Sequence, residues 1–425
     1  MSAFLVLIIF AAWTWARCRA HLQNDFNGNG TAILNERANL TQGGGVANRW
    51  MAPITRDLAK RALPNKKRSK IRYEPHRPDI EPISVVPLEF HQAGDDFHWL
   101  APITIGEHPQ TMTFKVMIHT DAAETWAKYK RIPRKKSGSL WTKYKTSFSK
   151  PPEPPIHYTI RYPGPAHDGY KYMEQIKLGG ISGELVMTAA DWVEDGVTFD
   201  GVIGLQLDGV FYNDILLKHA TLHPIFALHL GTTDPQIHFG GPHPLYYRGR
   251  IEYHRTSPVQ RTCCRTWHIA DGSIHVNRRK NVISDITTTF DTSTRFIYGP
   301  PDLVDEIYKS IQGHSDYSTK DTFPCGLKPL VKFQWNNGNK WVLNPDEFNL
   351  GPVRPGARMC RGVIKGKLHA KAWSVGTSLF KNNIYLVFNS MDPQNPEIGL
   401  ARPLNPPPYP ENSRTEVPPP YSPFR

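Results

Sequence analysis

Apolar residues fall along this chain in short alternating runs broken by turn signals, the pattern of β-strands rather than helices. The clearest run places Phe114, Val116 and Ile118 on one face and ends in His119-Thr120-Asp121-Ala122. It reads as a buried strand running into a tight turn. A second strand of this kind ends at Thr289-Phe290-Asp291-Thr292-Ser293-Thr294, followed by Gly299-Pro300. From Pro82 onward the remaining runs repeat the plan. His157 to Tyr162 predicts a strand turning at Pro163-Gly164-Pro165. Helical spacing is confined to short pieces, chiefly Asp302 to Ile311, with Leu303, Ile307 and Ile311 on one face.

Composition supports an all-β reading. The chain has 425 residues, 38 prolines and 32 glycines, with 39% hydrophobic and 11% aromatic residues. That is enough for two cores joined by many turns and excludes global disorder. The net charge of +13 makes an anionic partner worth weighing. Phe4 to Trp15 is an apolar run too short to span a bilayer, and Cys18-Arg19-Ala20 resembles a cleavage site, so residues 1–20 predict a signal peptide. No later run reaches the length of a membrane span. The destination follows as secreted, or the lumen of the secretory pathway or vacuole. Residues 21–78 are polar and increasingly basic, with sequons at Asn29 and Asn39. Residues 406–425 form a proline-rich tail expected to lack a fold.

Other chemistries find no motif. There is no pair of Cys-x-x-Cys motifs, no His-Glu-x-x-His and no phosphate-binding glycine loop, so neither a metal nor a cofactor is expected. Residues 128–150 carry nine Lys and Arg and no acid, with Trp141 and Tyr144 between them. This stretch is either a solvated surface loop or a patch for a polyanion such as a sulfated polysaccharide; nucleic acid is not the expected partner.

The order of motifs resembles the pepsin-like aspartic proteases over about residues 82–402. In that family an apolar strand leads into Asp-Thr-Gly-Ser/Thr-Ser and then Leu-Trp. Here His119 stands where the first catalytic Asp belongs, Asp121 where the Gly belongs, and Ala122 where the hydroxyl belongs. The second copy keeps Asp291 and replaces its Gly by Ser293. The resemblance implies a bilobal fold of two β-barrel-like lobes with a cleft between them, here 79–230 and 231–405, and a basic prosegment at 21–78. A solvated basic linker fits the composition of 21–78 equally. The resemblance also implies that Thr120 and Thr292 cross-brace the two turns, that Tyr162 belongs to a flap over the substrate, and that Trp126 joins it in substrate binding. It further places Cys325 and Cys360 in a disulfide of the second lobe, and leaves Cys263 and Cys264 unassigned. Phe199 to Leu205 and Trp373 to Thr377 match the strands that pack behind the two turns.

In the family, two carboxylates share one proton and activate a water between them. Thr120 and Thr292 keep the brace, but one of the two carboxylates is gone. Two readings follow for His119 and Asp291. In one, the site is catalytically impaired and the chain, a monomer, holds extended polypeptide in the cleft without cutting it. In the other, His119 acts as a cation and Asp291 as the base of a histidine–aspartate endopeptidase, as the His-Thr-Ala-Ser loop of the histo-aspartic protease among the plasmepsins suggests. A third role, anion binding through 128–150, stands apart from the cleft. Asp121 is too far along the turn to replace the missing carboxylate directly, and Ser293 is expected to obstruct the second turn.

Overall fold

The computed structural model describes residues 71–75, 80–106, 111–128, 157–161, 166–193, 197–219, 222–257, 266–277, 279–311 and 321–404. The signal segment, the sequons at Asn29 and Asn39, the basic loop beyond Lys128, Tyr162, Cys263, Cys264 and the tail lie outside these residues. The described residues fall in one compact unit, 70–260 with 264–425.

Three large sheets and one small one carry the fold, which is all-β and bilobal. An eight-stranded sheet belongs to the first half of the chain. Its centre is Met112–His119, flanked by Asp96–Ile105 and Gly201–Gly204. Asp96–Ile105 also pairs with Ala166–Leu178, folding the sheet back on itself. A seven-stranded sheet of the second half is built around His268–Val276, Arg279–Phe290 and Trp373–Val375. A small three-stranded sheet holds Thr322–Pro324, Met359–Gly362 and Asn349–Pro352. Between the halves lies a second seven-stranded sheet, to which both contribute: Ser84–Pro87 and Ile225–His229 from before residue 230, Tyr385–Asn389 and Glu397–Pro403 from near the end.

Met112–His119 shows why the pattern predicts a strand and where the pattern stops. Phe114, Val116 and Ile118 are buried as the alternation requires, but Met117 and His119 are buried too. The far face of this central strand is covered by a second apolar cluster of Leu100, Met117, Trp126, Ala190 and Val202. A strand covered on both sides loses its polar face. The helix predicted over 302–311 is present as Pro301–Ser310 and buries Val304, Ile307 and Tyr308 against the second half. Ile307 and Ile311 are buried as expected, while Leu303 is only partly buried and Val304 takes its place in the core.

Two features extend the sequence reading. Arg72–Glu74, within the stretch read as prosegment, is an edge strand of the central sheet, paired antiparallel with Tyr247–Arg255. Arg72 donates to Glu74 and to Glu397, the latter also through Nε at 3.3 Å, and its guanidinium lies 4.4 Å from the centre of the Tyr253 ring. Cys325 and Cys360 form the disulfide that the resemblance implied, with Cα atoms 4.9 Å apart and a separation of 35 positions in sequence. A covalent loop of this length stabilises by about 4 kcal/mol in the chain-entropy picture.

Candidate active site

Each of the two turns ends a strand that is held from behind by a parallel neighbour. Met112–His119 runs beside Gly201–Gly204, with Gly201 against Val116 and Gly204 against His119. Arg279–Phe290 runs beside Trp373–Val375, with Phe290 against Val375. A glycine closes each support because the turn leaves no space for a β-carbon. One on Gly204 would stand 2.5 Å from the carbonyl oxygens of Ala122 and Glu124, and one on Gly376 would stand 2.1 Å from that of Phe296. Thr377 is fully buried and bonds back to the turn. Its N–H and hydroxyl both donate to the Thr294 carbonyl, at 2.8 and 3.1 Å.

The turns are joined through their threonines. The Thr120 hydroxyl donates to the Phe290 carbonyl, and the Thr292 hydroxyl donates to the Ile118 carbonyl at 2.7 Å. Each threonine N–H donates in turn to the other's hydroxyl, at 3.2 and 3.3 Å. Four reciprocal bonds between buried groups hold the two strand ends in one geometry.

At the head of this brace His119 Nδ1 lies 3.6 Å from Asp291 Oδ1, too far for a hydrogen bond. His119 is 2% exposed and Asp291 7%. The Asp121 N–H donates to His119 Nδ1 at 3.1 Å, so that nitrogen is an acceptor and carries no proton toward Asp291. Burial pushes the imidazole down from its ordinary range, against the opposing pull of Asp291 and with a smaller push from His98. The ring is therefore neutral at physiological pH. Asp291 Oδ1 already accepts the Ser293 N–H at 2.9 Å and the Ser293 hydroxyl at 2.6 Å, and Oδ2 accepts from the Ser374 hydroxyl at 3.4 Å.

Ser293, expected to obstruct the second turn, is buried there and bonded to Asp291. Neither turn contains a positive φ, so a side chain at either glycine position meets no backbone strain. The Ser293 side chain folds back and serves Asp291 as a donor. Asp121 has the greater effect. Burial, then the charge of Asp291, push its carboxyl up to about 8, with Lys367 opposing. Trp126, expected at the substrate, is 2% exposed within the cluster behind Met117, with the Phe199 ring centre 6.2 Å away. Its side chain packs inside the first half, against Leu100, Met117, Ala190 and Val202. His238, away from the two turns, is fully buried with its Nδ1 2.8 Å from the Tyr385 hydroxyl.

Alternation alone hid two further residues of the site. His98 lies within charge range of both Asp291 and His119, and burial lowers its imidazole as well. Asp96 reaches from the first half to the chain beyond Asp291, accepting the Thr294 hydroxyl at 2.9 Å and the Arg295 N–H at 2.7 Å. Both lie on the strand Asp96–Ile105, beside the buried Phe97 and Trp99. A cavity of about 220 Å³ opens elsewhere, at the edge of the central sheet among Arg72, Tyr247, Tyr253 and Glu397, and gathers no catalytic constellation. Among the described residues no group of His, Cys, Asp and Glu is arranged to hold a metal ion.

Two halves, each with a strand–turn backed by a parallel strand and cross-braced by threonines around Asp291, define the class of acid proteases built on the pepsin plan. The chain belongs to the eukaryotic aspartyl protease family, whose family model matches residues 98–403. Similar proteins include an aspartic protease of Phaffia rhodozyma, 28% identical over 73% of this chain and 77% of the relative. Pregnancy-associated glycoprotein 2 of Bos taurus is 26% identical over 72% of this chain and 82% of its own length. Cathepsin E of Mus musculus is 24% identical over 72% and 80% respectively.

Proposed function

We propose that this member of the family holds extended polypeptide between its two lobes and has lost most or all of the power to cut it. One observation carries the reading: the group facing Asp291 across the threonine brace is a buried, neutral imidazole with its Nδ1 engaged by the Asp121 N–H. Peptide hydrolysis on this plan needs two carboxyls sharing one proton, one to take a proton from water and one to give a proton to the carbonyl oxygen. An imidazole in this state offers neither the shared proton nor a cation for the oxyanion. The backbone frame that grips an extended chain is unaffected by the exchange of one side chain. The signal segment at 1–20 routes the protein into the secretory pathway, and binding of a polyanion at 128–150 would use a separate surface.

Turnover of a quenched peptide library from pH 3 to 8 tests this with the purified full chain. The unaltered protein is expected to be silent, and His119→Asp with Asp121→Gly, Ser293 being retained as a donor to Asp291, is expected to recover acid-optimum cleavage. Cleavage by the unaltered chain that Asp291→Asn abolishes would instead establish a histidine–aspartate peptidase.

A further inference from the structure

The second half holds an uninterrupted basic stretch that the motif pattern passes over. From 348 to 391 there are seven Lys and Arg, namely Arg354, Arg358, Arg361, Lys365, Lys367, Lys371 and Lys381, and no Asp or Glu. The fold brings part of this stretch to the site. Ile364–Gly366 pairs in parallel with Ile297–Gly299, placing Lys365 beside Tyr298. The core side of that pair is taken by Ile297 and Ile364, both fully buried, so Tyr298 and Lys365 stand on the opposite face. The Lys367 N–H donates to the Gly299 carbonyl at 2.9 Å, which turns the next residues outward. Its ammonium sits 5.7 Å from the centre of the Tyr298 ring, and the following Leu368 is 77% exposed.

This ledge adjoins the catalytic turns electrostatically. The charge of Lys367 acts on Asp121, and the charges of Asp96 and Asp291 act on Tyr298. Two other cations of the stretch have partners already, Arg361 on Asp95 at 2.8 Å and Lys381 on Glu347 at 2.8 Å. Lys365 and Lys367 make no ion pair among the described residues. Lys365 is partly buried, which pushes its ammonium down; Asp321 and Asp95 oppose this and Arg361 adds to it. A half-desolvated ammonium gains more from an arriving carboxylate than a fully hydrated one does.

We propose that Tyr298, Lys365 and Lys367 form a subsite that selects extended peptides with an acidic residue flanking the segment held at Asp291. The inference rests on the peptide-binding reading above and adds the chemical class of the peptide. An acidic side chain would lie against the tyrosine ring and between two ammonium groups, while the apolar Leu368 offers its surface to the neighbouring position.

Fluorescence anisotropy of labelled decapeptides with the full chain tests the assignment. The peptides share one apolar centre and carry either two Glu or two Gln, on one flank or on the other. On one flank only, the Glu peptide is expected to bind about tenfold more tightly than its Gln partner, the scale of two partly exposed charge pairs together. Raising salt should erode this ratio. Lys365→Gln with Lys367→Gln should bring it near one, and Lys→Arg at both positions should keep it. Equal binding of Glu and Gln peptides, or a preference that survives the double Gln variant, would overturn the subsite and leave the peptide-binding reading standing. Failure of every peptide to bind would overturn both. Retention on heparin that depends on the two lysines, without Glu over Gln discrimination, would make the ledge a polyanion site and also overturn the proposal.

Discussion

Asp121 sits two residues past His119 and does two things at once: its N–H engages the imidazole and its carboxyl crowds Asp291. Because its folded value is near 8 against about 3.9 in an unfolded chain, the native state binds this proton more tightly. Stability from this group is complete below about pH 4 and is lost as pH rises through about 8, the reverse of a salt-bridged aspartate. Asp121→Asn should therefore leave the melting temperature unchanged at pH 4 and raise it above that of the parent at pH 8. A constant difference across that range would refute the assignment. At the same scale Ser293 fills the position where the family has Gly and supplies two donors to Asp291.

Among the elements, the supporting strands carry the sharpest constraint. Their closing glycines are required by space and not by backbone conformation, since neither Gly204 nor Gly376 has a positive φ. Gly376→Ala would press a methyl against the Phe296 and Thr294 carbonyls, which belong to the turn that carries Asp291. Backbone cannot yield as a side-chain tip can, so a loss of about 3 kcal/mol is expected from denaturant unfolding. Gly326→Ala is the control, with nothing within 4 Å of its added methyl, and should be close to neutral. Equal effects at the two sites would mean that the turn adapts and that the supporting strand does not define it. The strand–turn elements themselves were legible in the chain as apolar runs ending in Thr120 and Thr292. The brace between those threonines came only from the family resemblance; alternation does not register it, because the partners lie more than 170 residues apart.

At the scale of the molecule, the central sheet binds both halves and one strand from far upstream. Arg72–Glu74 covers the edge of Tyr247–Arg255, and the Tyr73 hydroxyl lies 3.3 Å from Oε2 of Glu252, which is fully buried. A chain begun at residue 76 would expose that edge and remove both contacts. It should melt several degrees below a chain begun at residue 70; identical melting curves would show that the sheet is complete without the strand. The stretch 21–78 was read from its charge as one segment, and charge does not register a three-residue strand whose partner lies some 180 residues away.

What the sequence determined by itself was the all-β class, the family, the two turns and the loss of a carboxylate at 119. All of these depend on local alternation, on turn residues or on motif order, and those signals survive when the chain is read one window at a time. Only the tertiary structure decided the state of the site. It buried His119 until it was neutral, turned Ser293 into a donor, moved Trp126 into the core, and brought Asp96 and His98 from one strand and Lys367 from another stretch to the neighbourhood of the two turns. Burial and charge at a site are sums over neighbours in space, and a linear pattern contains those neighbours only after the sheets have been paired.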